Sequence, residues 1–156
     1  MFGRKMTAVV ALAAFIAIGA PALLTGRAAP AQADTVAAVA DLLNAERTRR
    51  GLQPLQSDAS LNRAAAGHAR DMAKRGYFNH RSQDGRTFSD RIKAAGYCRA
   101  AMAENIALGQ NSVAKAISSW MDSPPHRKNM MNRRYSRFGI GKSNTYWVLT
   151  LAGPCT

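Results

Sequence analysis

The chain has 156 residues, with 22 Lys and Arg against 9 Asp and Glu, and its formal net charge at pH 7 is +13. This charge favours anionic partners such as lipid head groups, cell-wall polymers or acidic polysaccharide, although a basic surface that only aids solubility is the alternative. Nucleic acid would be attracted by the same charge, but the sequence has no helix-turn-helix, RNA-binding or zinc-finger signature, so we expect no nucleic-acid partner.

Residues 1–33 are predicted to form a cleavable signal peptide. Arg4 and Lys5 precede an apolar run over residues 6–24, and the small residues of 31–33 form an A-x-A cleavage site. An uncleaved N-terminal anchor is the alternative, but a glycine and a proline interrupt the apolar run. In either case the domain lies outside the cytoplasm, and we predict a secreted or periplasmic protein.

The remaining residues, 34–156, are predicted to form one domain. Their number is sufficient to bury a single core without support from a metal or cofactor. They contain no internal repeat and no low-complexity stretch, so no second module is expected. We expect this domain to be monomeric.

Apolar residues at helical spacing predict four helices in the first two thirds of the domain. The predicted helices cover about 36–47, Ser57 or Asp58 to about Arg75, Thr87–Ala95, and Ser112 to the Pro124-Pro125 pair. His68 lies on the apolar stripe of the second helix, and we interpret it as a satisfied core residue rather than a ligand.

Three polar residues lie at the ends of these helices or between them. His80 is in the irregular polar segment 77–86, and polar residues in loops are often functional. Glu104 lies at the entrance of segment 103–109, which fits a strand as well as a loop. His126 is predicted to lie just beyond the fourth helix.

The hydrophobic period changes from helical to alternating in the C-terminal third. Phe138 and Ile140 precede a polar turn at 142–145, and alternation resumes from Trp147 to Leu151. This pattern predicts an antiparallel hairpin. Helices first and strands last predict the α+β class, with a small antiparallel sheet packed by helices.

The two cysteines, Cys98 and Cys155, both lie in the exported part, where a disulfide can form. One bridge is the only intramolecular pairing available, and the loop that it closes would stabilise the fold by about 4 kcal/mol. A two-thiol metal or redox site is the alternative, which the absence of a C-x-x-C spacing disfavours.

Several short sequence motifs occur together in one order. They include Leu42-Leu43-Asn44, Gly51-Leu52-Gln53-Pro54-Leu55, His68-Ala69-Arg70-Asp71-Met72-Ala73, Tyr77-Phe78-Asn79-His80, Ala103-Glu104-Asn105-Ile106-Ala107, Ser123-Pro124-Pro125-His126-Arg127 and Gly139-Ile140-Gly141. Over about residues 36–151 the chain resembles the bacterial branch of the CAP superfamily (cysteine-rich secretory protein, antigen 5 and pathogenesis-related; SCP-like). The resemblance implies an α-β-α sandwich with a small central antiparallel sheet flanked by helices.

The resemblance also implies a surface cleft lined by two histidines and by acidic residues. At the matching positions this chain has His80, Glu104 and His126. Eukaryotic members commonly have a second glutamate, and here that position is Ser123, with Asp122 beside it. We therefore take Ser123 as a further cleft residue, although the full set of four is incomplete.

Two imidazoles and one carboxylate could bind Zn²⁺ or another divalent metal with an open fourth position, as in His₂Glu hydrolases. Acid-base or nucleophilic chemistry by Ser82 or Ser123 without metal is a second option, but no Gly-x-Ser-x-Gly motif is present. A third interpretation is structural, because His80, Glu104 and His126 could form a hydrogen-bonded network in which Glu104 orients an imidazole.

The sequence favours a non-enzymatic binding module for lipid, sterol, cell-wall polymer or another anionic surface ligand, with peripheral membrane contact. A zinc-dependent hydrolase that uses His80, Glu104 and His126 is the alternative. The cations expected to make the electrostatic contact are Arg127, Lys128, Arg133 and Arg134.

Overall fold

Five helices and four strands form in residues 30–156, the range that the computed structural model describes. In chain order they are α1 (Pro30–Thr48), β1 (Gln56–Ser57), α2 (Ala59–Arg75), α3 (Phe88–Ala94), β2 (Met102–Leu108), α4 (Val113–Asp122), α5 (Pro124–Met130), β3 (Arg137–Ser143) and β4 (Tyr146–Ala152). The predicted signal peptide lies outside this range, except for residues 30–33, which belong to the first turns of α1. Within 30–156, no helix combines the length and apolar character that crossing a membrane requires.

The four strands form one sheet in the order β1-β3-β4-β2. The predicted hairpin is present, since β3 and β4 pair antiparallel, and β2 pairs antiparallel with the other side of β4. The turn is shorter than predicted: it consists of Asn144 and Thr145, and Asn144 has the positive φ (52°) that a tight two-residue hairpin turn needs. The two-residue strand β1, which pairs parallel with β3, was not predicted.

Helices cover both faces of the sheet, so the predicted α+β sandwich is confirmed. Helix α2 lies directly against the backbone of β3, because Gly139 and Gly141 have no side chain there; a Cβ on Gly141 would lie 2.2 Å from the backbone N of Ala66. On the opposite face α1 and α4 cover the main core, which includes Leu43, Trp120 and Leu149.

A disulfide joins Cys98, which precedes β2, to Cys155, which follows β4. The predicted pairing is confirmed, and the two Cα atoms are 5.5 Å apart. Beside it, the Gly153 backbone N donates to the Ala101 carbonyl over 2.8 Å. Together these contacts fix the start of β2, an edge strand with a single neighbour, to the end of β4.

His126 lies just beyond α4, as predicted, but it belongs to a further helix that was not predicted. The Pro124-Pro125 pair ends α4 as predicted, but it also starts α5, in which His126 lies. Proline is favoured in the first turn of a helix because the backbone N–H it lacks would have no partner there. The same residues therefore end one helix and begin the next, with Ser123 at the junction.

Candidate functional site

His80 and Glu104 form a direct contact at the edge of the sheet. The Nδ1 atom of His80 lies 2.9 Å from Oε1 of Glu104, and the exposed fractions of the two side chains are 50% and 1%. The segment that carries His80 is held by Asn79, whose side chain accepts from the Arg81 backbone N and whose carbonyl contacts Nε2 of His68. The structure therefore presents a solvent-facing imidazole on a buried carboxylate.

A buried arginine holds the other oxygen of the same carboxylate. Arg91, in α3, donates through Nη2 to Oε2 of Glu104 over 2.7 Å and through Nη1 to Oγ of Ser82 over 3.0 Å. Both oxygens of Glu104 are thus engaged, and the negative charge of Glu104 is compensated inside the protein. Ser82 is buried and serves as a hydrogen-bond acceptor for Arg91, which does not support a role as nucleophile.

The sequence analysis did not identify Arg91 as a site residue. A signal for it exists, because Phe88, Arg91, Ile92 and Ala95 follow i, i+3, i+4, i+7 spacing and place Arg91 on the inward face of a short helix. An arginine on such a face needs a buried acceptor, and Glu104 is the buried carboxylate that supplies it.

The neighbouring residue of β2 holds the second histidine. Asn105 donates through Nδ2 to the backbone carbonyl of His126 over 3.1 Å and accepts from Asn129 over 2.9 Å. Successive side chains of a strand point to opposite faces, so Glu104 contacts the segment that carries His80 while Asn105 contacts α5. Two adjacent residues of one edge strand thus position both histidines.

His80 acts electrostatically on His126. Burial lowers the pKa of His126 below its ordinary 6.5, and the charge of His80 lowers that pKa further. His126 is therefore neutral at pH 7. In the neutral form of His80, the Glu104 carboxylate fixes the proton on Nδ1, so Nε2 is left as an acceptor.

Ser123 has a different position from the other predicted cleft residues. It is the last residue before α5, and its side chain makes no capping hydrogen bond. No hydrogen bond within residues 30–156 links its side chain to His80 or Glu104. The structure joins His80 to Glu104, brings His126 within electrostatic reach of His80, and shows no contact that includes Ser123 in this network.

The residues present do not fit the predicted His₂Glu metal site. Over the described range, no three His, Cys, Asp or Glu side chains are grouped closely enough to hold a metal ion. Glu104 already accepts from His80 through one oxygen and from Arg91 through the other, so a metal ion would compete with these contacts. We therefore derive no metal-dependent step.

Comparison with known sequences gives one family. The family model "Cysteine-rich secretory protein family", CAP, matches residues 40–150. The uncharacterized protein YkwD of Bacillus subtilis is 36% identical over 117 residues, which cover 74% of this chain and 46% of YkwD. The uncharacterized membrane protein YlbC of the same organism is 31% identical over 110 residues, which cover 70% of this chain and 32% of YlbC. The chain thus spans less than half the length of these curated relatives.

Solved structures agree with this assignment. The crystal structure of an extracellular protein containing an SCP domain from Bacillus anthracis superposes with a TM-score of 0.76 at 27% identity, covering 83% of this chain and 45% of that chain. A cysteine-rich secretory protein from Staphylococcus aureus gives a TM-score of 0.68 at 21% identity, covering 82% and 41%. At that identity the second comparison shows the fold alone.

Proposed function

Because the chain belongs to the cysteine-rich secretory protein (CAP) family, matched over residues 40–150, we propose that it is an extracellular binding module for an anionic component of the cell envelope. The disulfide supports a location outside the cytoplasm, where reducing systems do not remove such bridges. The neighbour from Bacillus anthracis is itself an extracellular protein. We propose a non-enzymatic role in which the cationic surface beside the two histidines holds the ligand.

The observation that carries this proposal is a concentration of cations on and after α5. We call Arg127, Lys128, Arg133 and Arg134 the basic segment. All four are exposed, residues 126–134 include no acid, and none of the four forms an ion pair within the described range. Uncompensated exposed cations attract phosphate and carboxylate groups of surfaces and polymers.

Buried contacts hold the basic segment in place. Arg47 is 1% exposed and donates through Nη1 to the carbonyls of Met130 and Asn132, at 2.7 and 3.1 Å. The Arg134 backbone N donates to Oδ1 of Asn132. The backbone that carries the cations is therefore ordered, so binding an anion would have to order their exposed side chains but not the chain itself.

The same segment begins beside the cleft, since His126 precedes Arg127 in α5. A sterol carries no charge that this surface would attract, so the charge favours anionic ligands over sterols. The engagement of both Glu104 oxygens disfavours the hydrolase alternative.

Sedimentation tests the proposal. The full chain would be mixed with vesicles of phosphatidylglycerol and phosphatidylcholine, with vesicles of phosphatidylcholine alone, and with wall fragments that carry phosphodiester polymer, at increasing salt. We expect binding to the anionic vesicles or wall fragments, but not to the neutral vesicles, and a steep loss with salt. Each basic side chain contributes about 1 kcal/mol near an anionic surface, so removing three should weaken binding by about a hundredfold.

The variant for this test is Lys128→Glu/Arg133→Glu/Arg134→Glu. Arg127 is left in place because its Nη1 holds the end of α4 through the Met121 carbonyl. The matched control is Lys74→Glu/Lys93→Glu/Arg99→Glu, which changes the net charge equally at exposed positions outside the basic segment. Equal losses in the two variants, or binding that does not respond to salt, would overturn the proposal.

A further inference from the structure

A pocket of about 280 Å³ lies beside the basic segment, at the end of α1. It is lined by Arg47, by the link 51–53 that follows α1, and by Arg133 of the basic segment. Among the described residues, this lining contains two guanidinium groups and no acid. A concave site lined by charges of one sign concentrates ions of the opposite sign, so the pocket is suited to a small anion.

Arg47 is a buried cation without a carboxylate partner. Its side chain is 1% exposed, and within residues 30–156 it forms no ion pair. The adjacent acid, Glu46, pairs instead with Arg49 and Arg50. Burial lowers the pKa of Arg47 below its ordinary 12.5, and the group stays protonated at neutral pH. Arginine is almost never fully buried unless it is paired, so this charge calls for a counter-ion.

One end of the Arg47 guanidinium is available to such an ion. Nε donates to the Gln53 carbonyl over 2.8 Å, and Nη1 donates to the carbonyls of Met130 and Asn132. In the part of the chain that the structure describes, Nη2 has no hydrogen-bond partner, yet it is not among the fully enclosed polar atoms that lack one. It therefore keeps access to solvent, and the open space that Arg47 lines is this pocket.

Arg133 brings a second cation to the pocket from the chain that follows α5. Its side chain is exposed and, over the described range, forms no ion pair. Its backbone is held close to Arg47, because Nη1 of Arg47 binds the carbonyl of the preceding residue, Asn132, over 3.1 Å. The arginine that lacks a counter-ion thus also fixes the segment that supplies the second cation.

We propose that this pocket binds a phosphate group of the anionic ligand, between Nη2 of Arg47 and the guanidinium of Arg133. The oxygens of a phosphate point in several directions, so one can accept from Nη2 while others accept from Arg133. A carboxylate has two oxygens in one plane, which suit a single guanidinium better than two guanidinium groups from different segments. This inference rests on the proposed function and adds the chemical group that is recognised and the place where it is bound.

Two neighbouring arginines give a matched pair of variants. Arg133 lines the pocket and Arg134 does not, while both are exposed and carry the same charge. Arg133→Gln should weaken phosphate binding by about tenfold, and Arg134→Gln by no more than about twofold, because only Arg133 donates to the bound group. A basic surface without a defined pocket would respond equally to the two changes.

The pocket wall offers a second pair that leaves every arginine in place. Gln53→Glu adds a carboxylate to the wall without changing the size of the side chain, and the backbone carbonyl of residue 53 still accepts from Nε of Arg47. Gln56→Glu makes the same change at an exposed position outside the pocket. Like-charge repulsion should weaken phosphate binding by about tenfold in Gln53→Glu and by no more than about twofold in Gln56→Glu.

The probes are inorganic phosphate, the phosphodiester glycerophosphoglycerol, and acetate, titrated into the full chain at constant ionic strength. Arginine side-chain ¹⁵N resonances report on binding. We expect saturable millimolar binding of at least one phosphate compound, with a shift of the Arg47 resonance, and weaker binding of acetate. Binding of the diester assigns the phosphate of a lipid head group or a polymer, and binding of inorganic phosphate alone assigns a free or terminal phosphate.

Four results would overturn the proposal: no saturable binding of either phosphate compound at about 20 mM, binding that leaves the Arg47 resonance unchanged, equal losses in Arg133→Gln and Arg134→Gln, or acetate binding as tight as that of phosphate. Vesicle and wall sedimentation separates this failure from that of the proposed function. Sedimentation without any binding of the phosphate compounds would remove the pocket and leave the proposed function. Phosphate binding without sedimentation would remove the proposed function and leave the pocket as a site for a soluble phosphate compound.

Discussion

Arg91 donates to Glu104 over 2.7 Å, and their side chains are 7% and 1% exposed, so the ion pair is buried. Removal of one partner leaves an uncompensated buried charge. We expect Arg91→Met to lower the free energy of unfolding by about 3–5 kcal/mol, measured by urea denaturation. The matched control is Lys93→Met, at an exposed position of the same helix, which should change stability by less than about 0.5 kcal/mol.

The double variant Arg91→Met/Glu104→Met removes both charges and should lose less stability than Arg91→Met alone. Such recovery is expected when two apolar side chains replace a buried ion pair. The single variant Glu104→Met completes the comparison. A loss in the double variant equal to the sum of the losses in Arg91→Met and Glu104→Met would show that the carboxylate and the guanidinium do not interact as described.

Stability should fall as the solution is acidified, in part because of His68. Burial holds the pKa of its folded form below 6.5, while Glu104, Asp71 and the Asn79 carbonyl raise it and Arg91 lowers it. The unfolded chain therefore binds the proton more readily. The stabilisation is complete above the unfolded pKa near 6.5 and is lost as the pH falls from there towards the folded pKa. His126 contributes with the same sign.

The variant His68→Gln should show a flatter dependence of unfolding free energy on pH between pH 7 and pH 5, because one proton-linked group is removed. Glutamine retains a donor for the Asn79 carbonyl. The measurement is urea denaturation at several pH values for both proteins. An unchanged slope would mean that His68 does not titrate differently in the folded and unfolded chains.

Gly141→Ala should be destabilising by about 3 kcal/mol, because overpacking forces a backbone shift. Its Cβ would lie 2.2 Å from the backbone N of Ala66, so α2 would have to move away from β3. Thermal unfolding of Gly141→Ala and Gly67→Ala compares a crowded glycine with an open one. Gly67→Ala should be neutral or stabilising, and equal effects of the two changes would contradict the close contact of α2 with β3.

The unmodified chain, loaded with zinc and then dialysed, should retain less than about 0.2 equivalents, since structural and catalytic zinc sites need three or four protein ligands. Elemental analysis provides the measurement. Retention near one equivalent, abolished in His80→Ala/His126→Ala, would instead support the His₂Glu site predicted from the sequence.

Periodicity predicted the helices and the hairpin well, because each has a long enough apolar pattern to specify its face. Helix α2 from Asp58 to Gly76 and the alternation from Trp147 to Leu151 are examples. The two-residue strand β1 carries no such pattern. Helix α5 was missed because the Pro124-Pro125 pair was interpreted only as the end of a helix.

The contact between His80 and Glu104 was implied by the family resemblance and not by their spacing. Sequence separation gives no distance between a loop and an edge strand, so the fold is needed to bring them together. The roles of Arg91 and Asn105 are seen only in the structure. Each side chain bonds to a residue of another secondary-structure element, and the sequence does not show which elements are neighbours. His68 was assigned correctly to the core, but periodicity shows only which face a residue occupies and not whether both ring nitrogens have partners.

The Glu104 and Asn105 side chains point in opposite directions. The contacts that position His80 and His126 therefore require the observed register of β2 with β4. A shift by one position would turn the Glu104 side chain away from His80 and Arg91, and the Asn105 side chain away from the His126 carbonyl. Deleting one residue from 99–101 would thus disrupt the contacts that position His80 and His126 together, because the disulfide fixes the preceding residue. Deleting two would keep the same face of the strand towards His80 but would bring Ile106 to the position of Glu104, so the length of this short connection is constrained as well as its parity.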